Sequence, residues 1–156
     1  AMDADNVMAK ELSFTWKREV PVLYIVAELD SILPLQGMQD MFNRNPDPKT
    51  TVVLLNADHF HFNDAIEQTH DGYKSMLGML AGGMDEDTRH TMETMMAGMK
   101  PSSELVAGDD AYALINGLGL AHFDRELRGI QKAASFLSGD LVAMLGDRHI
   151  RVKLLL

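Results

Sequence analysis

The chain of 156 residues contains no cysteine, which excludes disulfides and thiolate metal sites but does not fix a compartment. It has no apolar run near the roughly 20 residues that a membrane-spanning helix needs, so no span is expected. The first residues, Ala1-Met2-Asp3-Ala4-Asp5, carry neither a basic region nor an apolar stretch, and no signal peptide is read in this segment. Positive charge is also scarce. Against 23 Asp and Glu stand 14 Lys and Arg, a net charge of −9. Such a surface repels phosphates, which disfavours nucleic acid or an anionic membrane as a partner. What is left, 46% hydrophobic and 24% charged, is the make-up of an ordinary soluble globular protein, and the length suits one domain over 1–156.

Two apolar runs read as strands. Residues 20–27 are β-branched and aromatic, with Pro21 near their start, where a missing N–H is tolerated. Residues 51–55 are apolar without interruption, as in a strand covered on both faces. Between them Leu35, Met38, Met41 and Phe42 follow a helical spacing, and Asn45-Pro46-Asp47-Pro48-Lys49 ends that helix in a turn. Strand, helix and strand in this order form a βαβ unit, which predicts parallel pairing and a right-handed crossover.

The remainder reads as mostly helical. A helix is expected over 63–80, closed by Gly82 and Gly83, and another over 85–99, with Asp85 as N-cap and Met92, Met95, Met96 and Met99 on one face. A longer one is expected over 109–127, with Tyr112, Ile115, Leu118 and Leu127 as buried candidates; Gly117 and Gly119 lie inside it and weaken its continuity. Residues 133–136 and 140–145 are short helical pieces. Residues 5–18 suggest a short helix with Trp16 turned inward, and 151–156 either a terminal strand or merely the chain's end.

Chemistry gathers after the two strands. Asp30 follows the first, at the strand end where open α/β sheets place their ligands. It reads either as an acid that orients a histidine or as an N-cap for the next helix. Asp58-His59-Phe60-His61-Phe62 follows the second strand. A histidine there suits a general base, or it is simply a hydrogen-bonded loop residue. His59 and His61, with Asp58 or Asp64, also have the types and spacing for a metal site. His70, His90 and His122 fall within helical patterns and read as surface or structural residues. The methionine stripe reads as core or interface, or as a substrate-facing lid. The acidic pairs at 85–87 and 109–110 are most simply helix N-termini, since their spacing matches no EF-hand loop.

Together these residues resemble the C-terminal half of an α/β-hydrolase of the dienelactone hydrolase or platelet-activating factor acetylhydrolase-like type. The resemblance is carried by 21–34, by 57–62, and by 121–128 followed by 136–140, and it spans 20–145. It implies an α/β class, a partial α/β-hydrolase fold in which a C-terminal βαβ unit precedes a mostly helical segment. It implies Asp30 as the triad acid and His59, rather than His61, as the triad histidine. It further implies a small-molecule ester, lipid or short acyl, as substrate of the intact parent, with no cofactor and no metal. Members of that family carry a serine on a G-x-S-x-G elbow upstream of these strands. None of Ser13, Ser31, Ser75, Ser102, Ser103, Ser135 and Ser138 has glycines two residues before and after it. The chain is therefore expected to hold acid and base without a nucleophile and to be inactive alone. Two strands leave an open sheet edge, so pairing with a missing N-terminal half or a homo-oligomer is expected. The alternative is a non-catalytic interaction or oligomerisation module built on the Met-rich helices.

Overall fold

The computed structural model describes residues 19–33 and 35–155; the helix expected over 5–18, with Trp16, lies outside the described residues. Strand β1 (Val22–Ala27) pairs parallel with β2 (Lys49–Leu54), Val22 opposite Lys49 and Ala27 opposite Leu54. Parallel neighbours need a crossover, and helix α1 (Leu35–Arg44) supplies it. A third strand, β3 (Val152–Leu155), pairs antiparallel along the other edge of β2, Leu54 opposite Val152. The ambiguous stretch at 151–156 is thus a strand over its described part. The sheet order is β1-β2-β3, a three-stranded mixed sheet in a mixed α/β structure.

Between β2 and β3 the chain forms α2 (Ile66–Leu80), α3 (Glu86–Gly98), α4 (Gly108–Arg128), α5 (Gln131–Leu137) and α6 (Leu141–Gly146). Local chemistry sets several of their ends. The Asp85 carboxylate accepts the Thr88 N–H at 3.0 Å, and Asp140 accepts that of Ala143 at 3.0 Å. Gly129, at φ +63°, closes α4 by donating its N–H to the Arg125 carbonyl.

Side chains alternate across the sheet, and each face has its own cover. On one, Ala27, Val52, Leu54 and Val152 join Ala111, Leu114 and Leu118 of α4 with Leu141 and Leu145 of α6 in a single core. On the other, the Tyr24 ring meets Phe42 of α1 edge-on at 6.1 Å. Val52, Val53 and Leu54 are fully buried, which accounts for the unbroken apolar run in β2. Helix α4 runs straight through Gly117 and Gly119. A glycine inside a helix costs only about 1 kcal/mol, and the buried stripe at 111, 114 and 118 holds the helix in place. Tyr112 and Leu127, expected inside, are exposed, and Ile115 is only half-buried. The helix is apolar on two faces, and the sheet covers one. The methionines expected on one face over 85–99 divide as well, Met99 lying just past the end of α3. Met99 is buried, whereas Met92, Met95 and Met96 are half-covered.

Candidate active site

The two strand ends are laced together by backbone before any side chain acts. Glu28 N–H donates to the Leu54 carbonyl at 3.0 Å, and Leu29 N–H to that of Ala57 at 2.8 Å. Beyond β2 the chain turns at Asn56, whose φ of +56° lies in the left-handed region that asparagine tolerates better than most residues. Its side chain is tied down, Nδ2 donating to the Glu104 carbonyl at 2.6 Å. The turn delivers Asp58 and the 3-10 turn His59–Phe62 beside the loop that follows β1.

There the Nδ1–H of His59 faces Oδ2 of Asp30 at 3.1 Å. The other Asp30 oxygen, Oδ1, accepts the N–H groups of Ile32 at 2.9 Å and Leu33 at 2.6 Å. The histidine-orienting arrangement is present at Oδ2; the N-cap reading is corrected, because Oδ1 closes the bend at 32–33, ahead of α1, which starts at Leu35. The Asp30 side chain is 7% exposed and that of His59 is 30% exposed. A carboxylate held from behind fixes the imidazole with its proton on Nδ1. Nε2 is then the free base, and it has no protein hydrogen bond among the described residues. Such an imidazole can accept a proton from a hydroxyl and return it to a leaving group.

Comparison of the chain with protein-family models, with curated proteins and with solved structures found no match.

His61 has a different part. It is buried, its Nε2–H donates to the Val106 carbonyl at 2.9 Å, and its Nδ1 accepts the Asp58 N–H at 2.9 Å. With both nitrogens bound to backbone, it braces the loop onto the approach to α4 and has no lone pair for a metal ion. The metal reading of His59 with His61 is corrected on that ground. The same junction is tightened at Gly108, where an added Cβ would stand 2.5 Å from Cγ2 of Ile66, and whose N–H donates to Glu67 at 3.1 Å. Only glycine lets α4 start this close to α2.

Behind the pair lies a polar group that sequence reasoning missed. Asp58 is buried and its Oδ1 accepts the Ser31 hydroxyl at 3.0 Å, so Ser31–Asp58 forms a second rung beside Asp30–His59. His70, read as surface or structural, is fully buried on α2. Its Nδ1 bonds Asp71 at 3.2 Å, and its Nε2 stands 3.8 Å from Asp58 Oδ1, too far for a hydrogen bond. The Phe60 ring meets His70 edge-on at 5.5 Å. Asp71 in turn accepts the Ser102 hydroxyl at 2.7 Å and N–H at 3.1 Å, and these bonds, with His70, hold its carboxyl below the usual range. The signal available in the sequence was Asp58 itself, a carboxylate next to a fully apolar strand and in need of a donor.

Glu28 ties all three strands together. It accepts the Asn56 N–H at 3.0 Å and Lys153 Nζ at 3.2 Å, and the backbone bond chiefly, with Lys153 next, lowers its pKa. A carboxyl lowered in the folded state stabilises the fold above its unfolded pKa, near ~4.3, and loses that contribution as pH falls through the folded value. Glu28→Gln is accordingly expected to be less stable than the parent at pH 7 by urea titration, with the gap closing below about pH 4. A gap that stays constant down to about pH 3 would show that the ionised carboxylate contributes nothing.

Proposed function

We propose that the chain is the acid- and base-bearing portion of a serine ester hydrolase of the α/β-hydrolase type, similar to dienelactone hydrolases and platelet-activating factor acetylhydrolases. The observation that carries this reading is the 3.1 Å contact between His59 Nδ1 and Asp30 Oδ2. It joins the carboxyl ends of adjacent parallel strands, with Nε2 left open. In the complete enzyme His59 takes the proton of a serine hydroxyl as the serine oxygen attacks the ester carbonyl carbon. It then gives that proton to the departing alkoxide, and a water molecule repeats the sequence on the acyl-enzyme. Asp30 holds the tautomer and stabilises the imidazolium. Ile32 and Leu33, two and three residues past Asp30, and Phe62, three past His59, are exposed and apolar. They favour an ester with an apolar acyl group, lipid or short chain.

The serine comes from outside this sequence, carried by a nucleophile-bearing half. Among the described residues β1 has no strand on its outer edge, which offers that half a place to pair. No described helix is long and apolar enough to cross a membrane. Incubation of the isolated chain with a fluorophosphonate is expected to leave every serine unmodified, as read by intact-mass measurement. Stoichiometric labelling of any of them would overturn the division of labour proposed here.

A further inference from the structure

The loops that carry Asp30 and His59 start from a backbone bond, the Leu29 N–H donating to the Ala57 carbonyl at 2.8 Å. Past it, among the described residues, side chains alone make the hydrogen bonds that cross from one loop to the other. His59 Nδ1 meets Asp30 Oδ2 at 3.1 Å, and the Ser31 hydroxyl donates to Asp58 Oδ1 at 3.0 Å. Both bonds use neighbours in the chain, 30 with 59 and 31 with 58. With the two peptide units between those neighbours they close a ring. While the Ser31 bond holds, the backbone of His59 stays opposite that of Asp30, and only the side-chain torsions of the imidazole remain to be fixed.

The two bonds differ in how far water reaches them. The His59 side chain is 30% exposed, so water competes for its nitrogens, whereas that of Asp58 is 2% exposed. A buried carboxylate oxygen deprived of its donor carries an uncompensated desolvation cost, so the Ser31–Asp58 bond is the firmer of the two. Asp58 is also anchored through its backbone. His61 Nδ1 accepts its N–H at 2.9 Å, and its carbonyl accepts the His61 N–H at 3.0 Å. Ser31 therefore ties the loop after β1 to a fixed post, directly beside the histidine.

We propose that Ser31 is a positioning residue for the reaction proposed above. Acting through Asp58, its hydroxyl keeps His59 against Asp30, and so keeps the tautomer that leaves Nε2 free as the base. The inference rests on the hydrolase reading of Asp30 and His59, and its test separates the two.

The isotope-labelled full chain needs no substrate for this. At about pH 8.5, where an ordinary imidazole is neutral, the ring nitrogen shifts report which nitrogen carries the proton. The parent should hold the His59 proton on Nδ1. Ser31→Ala should move the ratio of the two tautomers toward Nε2–H by about 5-fold, the factor that a net hydrogen bond commonly supplies. His61, bonded to backbone at both nitrogens, should keep its proton on Nε2 throughout. Ser31→Thr should restore the parent ratio. Ser31→Val, matched to threonine in shape but without the hydroxyl, should not. A parent whose His59 proton sits on Nε2 overturns the inference together with the hydrolase reading. Ser31→Ala and Ser31→Val variants that are folded by circular dichroism and keep the parent ratio overturn the inference alone. Loss of the fold in both overturns it too, because the bond would then be holding the whole structure.

Discussion

In an ester hydrolase completed by a nucleophile-bearing half, His59→Ala is expected to lower kcat by about 10⁴-fold or more, with KM little changed. The imidazole acts on the proton in flight, so its loss is felt in the transition state and not in substrate binding. Asp30→Asn should approach the same loss for another reason. An amide that presents its N–H₂ to His59 favours the tautomer with the proton on Nε2, where it blocks the base. Ester hydrolysis under saturating substrate reads kcat, and the circular dichroism of each variant separates these losses from damage to the fold. His90→Ala, on the exposed side of α3, is the control and should be indistinguishable from the parent. If His59→Ala retained more than about a tenth of the parent kcat, the triad role would be lost.

The largest expected effect on stability belongs to His70. Its replacement by alanine opens a void against Phe60 and removes the 3.2 Å bond between its Nδ1 and Asp71. The cavity at this fully buried site dominates, and a loss of about 2–5 kcal/mol is expected. Urea unfolding followed by circular dichroism would measure it. A change within about 0.5 kcal/mol, the range of ordinary surface substitutions, would show that this buried group is incidental.

The sequence made some of this legible because the relevant physics is local. Asp85 and Asp140 cap helices through bonds to residues three positions away, and the apolar run after Lys49 marks a strand wherever its neighbours lie. Asp30 and His59 were legible through their places at strand ends. What separates His59 from His61 was not. The partner that engages His61 Nε2 is the Val106 carbonyl, 45 residues away. His70 was hidden for the same reason, since only the fold brings Asp58 to it. Tyr112 and Leu127 misled because periodicity reports that a face is apolar without saying what covers it. The α/β class follows from β1, α1 and β2 alone. The third strand needed the tertiary pairing, because Val152–Leu155 is short and has no turn connecting it to its neighbour.

That pairing has a consequence for how the protein is made. Leu54 waits for Val152, 98 positions later, before β2 gains its second neighbour (152 − 54 = 98). At ribosomal speeds of about 5–20 residues per second, the strand that carries Val52, Val53 and Leu54 stays half-paired for about 5–20 seconds of synthesis. During that interval the nascent chain needs a chaperone's shelter more than the finished molecule does.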